Sequence, residues 1–96
     1  MRKITREAVE AFNNNFPFSK GNTVVFVSET QTTLRLHGSS IARKREGKLE
    51  INPCGCLTNT TKERLNGLPN VSISQKNLVW YLNGIELASD SWTLVV

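Results

Sequence analysis

Residues 58–84, TNTTKERLNGLPNVSISQKNLVWYLNG, decide how the rest of the chain is read. Thr60 and Glu63 have the spacing of a capping box, in which a hydroxyl and a carboxylate satisfy free N–H groups at a helix start. Gly67 stands where a helix C-cap glycine belongs, so the pattern predicts a short helix over about residues 61–66. Pro69 marks a corner, after which Val71 and Ile73 alternate with Ser72 and Ser74, the period of a half-exposed strand. A turn at Gln75-Lys76-Asn77 leads to a strand over residues 78–82, and Asn83-Gly84 is the strongest short hairpin signal. A two-residue turn there pairs Leu82 with Ile85 and Trp80 with Leu87, which puts all four side chains on one face.

Toward the N-terminus, Ile4, Ala8, Ala11 and Phe12 share one face of a helix that opens with Thr5 as N-cap. Asn13-Asn14-Asn15 and Pro17 stop it, and Phe16 and Phe18 are expected to drop back onto the core. Beyond residue 22 the period changes to two. Val24 to Val27 are all apolar, so the strand over residues 23–28 is expected to be covered on both faces. Residues 32–37 turn Leu34 and Leu36 one way and Thr33 and Arg35 the other; Ile41 and Ala42, then Leu49 and Ile51, continue the pattern between turns at His37-Gly38-Ser39 and Gly47. The order is therefore an N-terminal helix, a four-stranded antiparallel meander, a short second helix and a C-terminal β-hairpin. Residues 92–96 form a last short strand or a packed tail. This is an α+β fold, and 96 residues suit a single domain, 1–96.

Chemistry is conspicuous by its scarcity. A nucleophile–base arrangement needs a histidine held by a third group, and the sole histidine, His37, sits in a predicted turn. Glu46 and Glu50 lie among basic residues at strand ends, and each of the six glycines stands alone rather than in a phosphate-cradling loop. Cys54-Gly55-Cys56 offers two thiolates, but a structural zinc site wants four ligands and His37 is the only other soft donor. Cys56 is expected to be a small buried apolar residue and Cys54 an incidental loop thiol. No catalytic residue, no metal and no cofactor is indicated, and the protein reads as a non-enzyme. No apolar run approaches the roughly 18 residues of a membrane span, so no membrane association is expected.

Charge is the remaining lead. Residues 1–48 carry nine Lys/Arg against four Asp/Glu, whereas residues 49–96 carry three against four. The excess is densest at Arg43-Lys44-Arg45, whose side chains are expected to be solvated, with Arg35 and Lys48 nearby. Such a footprint suits phosphate-rich partners, because each neutralised phosphate releases counterions. Trp80 reads as core, while Tyr81 and Trp92 are candidate interface aromatics that would serve a base or a protein equally well.

The pieces MRKITREAVEAF, KGNT, TLRLHGSSIARK, TNTTKERLNGLPNVSI and WYLNG cover nearly the whole chain. Together they resemble a family of short proteins encoded by bacteriophages and prophages. The resemblance implies an accessory gene product acting in the cytoplasm of an infected bacterium, and it brings no activity or catalytic residues. Relatives of that kind carry Trp-Phe where this chain has Cys56-Leu57, a departure that favours a buried Cys56 over a metal ligand. Two functions suit a small phage protein of this kind. One is a nucleic-acid or nucleoprotein binding module using Arg35, Arg43, Lys44, Arg45 and Lys48. The other is a protein-binding inhibitor of a host defence system, anti-CRISPR-like or otherwise.

Overall fold

The computed structural model describes residues 2–96. Helix α1, Lys3–Asn13, forms because Thr5, Ala8, Val9 and Phe12 recur at helical spacing and are buried together. Arg2, not Thr5, is the N-cap residue, and no side chain caps there. Thr5 is fully buried inside the helix, where its hydroxyl donates to Glu63 Oε1 and accepts from Arg64 Nη1. The helix ends in a Schellman motif: Phe16 N–H donates to Ala11 O (2.9 Å) and Asn15 N–H to Phe12 O (3.3 Å). Asn15 takes the left-handed position, φ 57°, that glycine usually fills. The chain then turns so that Phe18 packs against the core while Phe16 stays exposed, so only one of the two phenylalanines returns as expected.

The meander is present but wider than four strands. Strands β1 (Phe18–Lys20), β2 (Thr23–Val27), β3 (Thr32–Leu36), β4 (Ser39–Arg45) and β5 (Lys48–Ile51) follow one another, and β9 (Thr93–Leu94) joins beyond β5. The sheet is six-stranded and antiparallel throughout, in the order β1-β2-β3-β4-β5-β9. Val25, Leu34, Ala42 and Ile51 lie in register on one face and are essentially inaccessible. α1 packs on β2 and β3 from this side. Helix α2, Asn59–Asn66, reaches the same face, since Arg64 Nε donates to Thr23 Oγ1 at 3.2 Å. Among the described residues no helix covers the other face. β2 is therefore buried on one side only, contrary to expectation: Val25 is buried, Val24 and Val27 are half-buried, and Phe26 is 51% exposed.

α2 starts two residues earlier than the capping-box reading placed it. Thr58 is its N-cap, and its hydroxyl accepts from Thr61 N–H at 3.2 Å. Glu63 does not reach back to cap; its carboxylate binds Arg2, Thr5 and Arg64, because a buried guanidinium needs a counter-charge more than a solvated helix end needs a cap. Gly67 is right-handed (φ −76°), so it is not a left-handed C-cap glycine.

The second sheet, in the order β6-β7-β8, comprises β6 (Ile73–Lys76), β7 (Val79–Leu82) and β8 (Ile85–Glu86). Ile73, Trp80, Leu82 and Leu87 are buried in one cluster with Leu65 and Leu68, which anchors this sheet beside α2. Leu82 pairs with Ile85, and Leu87 N–H donates to Trp80 O at 2.9 Å, so the hairpin register is as read. Ile85, however, lies beyond the core edge and is 70% exposed. The preceding turn is tighter than expected. It is a two-residue turn at Asn77-Leu78, with both residues at positive φ, and β7 begins at Val79. Three other hairpins use His37-Gly38, Glu46-Gly47 and Asn83-Gly84 in the same conformation, so Leu78 stands where each of those has glycine.

Candidate functional site: the open face of the six-stranded sheet

Successive side chains of a strand point to opposite faces, so the helix-facing set fixes the other set. With Val25, Leu34, Ala42 and Ile51 turned toward the helices, Phe26, Thr33, Arg43, Glu50 and Leu94 form one cross-strand row on the open face. Val24 and Arg35 form the next row on one side, and Arg45 and Lys48 form the next on the other. Of the five cationic residues picked out by charge, Arg35, Arg43, Arg45 and Lys48 therefore share the open face. Lys44 does not. It points to the helix side, where its ammonium donates to Phe12 O (2.9 Å) and Asn13 O (3.0 Å) at the C-terminus of α1. A cation there meets the negative end of the helix dipole, the Asn13 carbonyl and the Phe12 carbonyl that also accepts from Asn15 N–H, so Lys44 caps the helix and is removed from the binding set. Burial lowers its pKa from the ordinary lysine value.

Nor is the basic run uniformly solvated. The Arg43 side chain is only 21% exposed: it donates to Glu50 Oε1 at 3.0 Å, and its guanidinium lies 4.0 Å from the centre of the Trp92 ring. Arg45 lies 3.5 Å from the same carboxylate oxygen and is about half exposed. Glu50 is held ionised below the usual carboxylate range, first by the Arg43 hydrogen bond, with the charges of Arg43, Arg45 and Lys48 adding to it against a partial desolvation cost. Lys48 is exposed at the end of β5. Arg45, Glu46, Lys48, Glu50 and Leu94 line an open groove of about 490 Å³ at this end of the face.

At the other end, the Arg35 guanidinium lies 5.1 Å from the centre of the Phe26 ring. The face thus carries two arginine–aromatic pairs, Arg35–Phe26 and Arg43–Trp92. Trp92, one of the two candidate interface aromatics, lies beneath Arg43 at this face. Tyr81, the other, is not on this sheet: it sits half-buried in the second sheet, opposite Ser74 and Glu86. Phe26 was missed because four consecutive apolar residues read as a strand buried on both sides; strict alternation with the buried Val25 was the signal that could have found it.

The remaining chemically reactive side chains are scattered. His37 is exposed in its turn, with Nε2 3.4 Å from Asn22 Nδ2. The two cysteines exchange the roles expected of them. Cys54 is partly buried against the core and its thiol donates to Ser40 O (3.1 Å), whereas Cys56 is exposed. The exchange follows from Pro53 and Asn52, which are buried and pull Cys54 inward, with Asn52 Oδ1 accepting from Cys54 N–H. Burial raises the Cys54 thiol pKa, with the Asp90 and Cys56 charges adding to it. Among the described residues no group of three or more His, Cys, Asp or Glu side chains is placed to hold a metal ion. No helix among them is long and apolar enough to cross a membrane.

Compared with known protein families, the chain matches the model of the Kyanoviridae Gp96 protein family over residues 1–94. The chain belongs to this family. It is thereby a phage-encoded protein, as the resemblance implied. No curated protein and no solved structure matches the chain. The Gp96 family name carries no activity, so the open face is the feature from which function has to be argued.

Proposed function

We propose that this Gp96-family protein is a non-catalytic nucleic-acid or nucleoprotein binding module working inside the infected host, and that the open face of the six-stranded sheet is its binding surface. One observation carries the reading: Arg35, Arg43, Arg45 and Lys48 share that face with Glu50 as the single carboxylate in their rows and Glu46 in the adjoining turn, so cations outnumber carboxylates four to two. Glu50 is committed to Arg43 and Arg45, which leaves Arg35, stacked over Phe26, and Lys48 without an ion pair among the described residues and able to meet phosphates, and Arg45 able to exchange one anion for another. Phosphate contacts of this kind position a protein without reading bases, so the affinity is broad in sequence and steep in salt.

A second reading, an inhibitor that binds a host protein, is favoured by a different observation. Leu78 is 84% exposed at the tip of the β6–β7 hairpin in a left-handed conformation, and Ile85 is exposed on the same small sheet. Exposed apolar residues on a rigid tip suit a protein pocket better than a phosphate backbone.

The test is binding of labelled mixed-sequence DNA and RNA at about 50 mM salt, a condition that magnifies charge effects. The parent protein binds, and the combined Arg35→Gln, Arg45→Gln, Lys48→Gln variant loses affinity for all sequences alike. Its log–log salt slope flattens by roughly 0.7–0.9 for each phosphate that is no longer neutralised. Absence of binding in the parent ends this reading and leaves the protein partner, sought at Leu78 by pull-down with nuclease treatment.

A further inference from the structure

Resting on the nucleic-acid reading, we infer that the open face takes single-stranded rather than duplex nucleic acid and stacks bases on Phe26 and on the Arg43–Trp92 pair. Shape decides between the two forms. The major groove of a duplex is about 12 Å wide and admits a helix or a two-stranded ribbon. A six-stranded sheet at about 4.8 Å per strand is roughly twice that width, so a duplex touches such a face only along its phosphate ridge. That contact uses the cations and leaves a half-exposed phenylalanine ring in the second strand facing nothing.

A single strand uses both. Its bases are free to lie on aromatic rings while its phosphates run beside the arginines, and open sheets that carry aromatic rings stack two or three bases in this way. Phe26 and Arg43 are in one cross-strand row separated by β3, so the two platforms stand about 10 Å apart across the sheet. Thr33, between them, is small and buried, which keeps the surface flat. The Arg35 guanidinium lies over the Phe26 ring at 5.1 Å and the Arg43 guanidinium over the Trp92 ring at 4.0 Å. A base therefore stacks either on the guanidinium plane of such a pair or on the Phe26 face after displacing Arg35, which then meets the neighbouring phosphate. An apolar protein surface or a second copy of the chain fits worse, because docking it would strip water from Arg35, Arg45 and Lys48, for which Glu50, already shared by Arg43 and Arg45, and Glu46 at the groove's edge are the carboxylates at hand.

The experiment compares fluorescein-labelled 12-nucleotide oligo-dT and oligo-U with a mixed-sequence duplex of equal length. Expected at about 50 mM salt is single-strand binding at least tenfold tighter than duplex binding. Phe26→Ala and Phe26→Leu each weaken the single strand by about 5- to 100-fold and leave duplex affinity and the salt slope unchanged, since stacking on a ring involves no counterions. Phe26→Tyr retains the affinity. Oligo-dT quenches intrinsic fluorescence in the parent and not in Trp92→Phe, because Trp80 is buried. If duplex and single strand bind equally, or the Phe26 variants bind single strands as the parent does, the stacking inference is overturned while the phosphate-binding reading stands. If neither form binds, both are overturned.

Discussion

Replacing Lys44 and Arg45 one at a time separates two roles that adjacent basic residues are given by the sheet. In Lys44→Met the stem is kept and the ammonium removed, together with its two bonds to Phe12 O and Asn13 O. A hydrogen bond from a charged donor contributes about 1.5–3 kcal/mol net, and a cation at a helix C-terminus about 0.3–1 kcal/mol. Against this stands the desolvation that lowers the Lys44 pKa, and water can reach the Asn13 carbonyl once the ammonium is gone. A net destabilisation of about 1.5 kcal/mol results. For a chain of 96 residues the entropy of unfolding is about 0.2 kcal/mol/K, so the Tm falls by about 7 °C. Arg45→Gln removes an ion pair that is half exposed at 3.5 Å, worth well under 1 kcal/mol, and the Tm moves by no more than about 2 °C. Thermal and urea unfolding followed by circular dichroism measure both, and nucleic-acid binding reads the reverse order, with Arg45→Gln weakened and Lys44→Met unaffected in salt slope. Equal Tm shifts for the two variants would refute the assignment of Lys44 to the helix end.

The hairpin tips supply a second prediction. Leu78→Gly raises stability by about 0.5–1 kcal/mol, because a left-handed leucine costs about 1–2 kcal/mol and an 84% exposed side chain gives up little packing. Gly84→Val, at φ 86° with open space around the position, lowers stability by about 1 kcal/mol or more on backbone grounds alone; denaturant midpoints compare the two, and a destabilised Leu78→Gly would contradict the turn. Acid unfolding is the third. The Thr5 and Arg2 hydrogen bonds hold Glu63 below the usual carboxylate value, so its contribution is full above an ordinary glutamate pKa of about 4.3 and is lost as pH falls through the lower folded value. Glu63→Gln is less stable at pH 7 and loses less on acidification between about pH 5 and 2, whereas parallel pH profiles would place the coupling elsewhere. Finally, native protein treated with a thiol reagent labels at Cys56 first, since Cys54 is partly buried and bonded to Ser40 O; peptide mapping that found Cys54 labelled first would reverse the assignment.

What could be read from the chain alone are the features whose cause lies within a few residues. Asn83-Gly84 forms its turn because those two residue types adopt positive φ cheaply, and that turn sets the pairing of Leu82 with Ile85. The change to period two beyond residue 22, with the turns between, likewise placed four of the six strands of the large sheet in their order, with Leu34, Leu36 and Ile51 inward, and missed the two edge strands β1 and β9 as members of it. Even the alternation that divides Lys44 from Arg43 and Arg45 is a property of any strand. Which of the two faces is covered is not. That depended on both helices settling on the side of Val25 and Leu34, an outcome of packing between residues far apart in the chain. The same holds for Glu63, whose spacing from Thr60 spells a cap but whose carboxylate is drawn to Thr5, Arg2 and Arg64. It holds for Trp92, carried onto Arg43 only because β9 returns to pair with β5. Local sequence decided where the chain turns and which side chains alternate; only tertiary packing, by burying one face of the sheet, decided that an arginine–aromatic surface would be left open on the other.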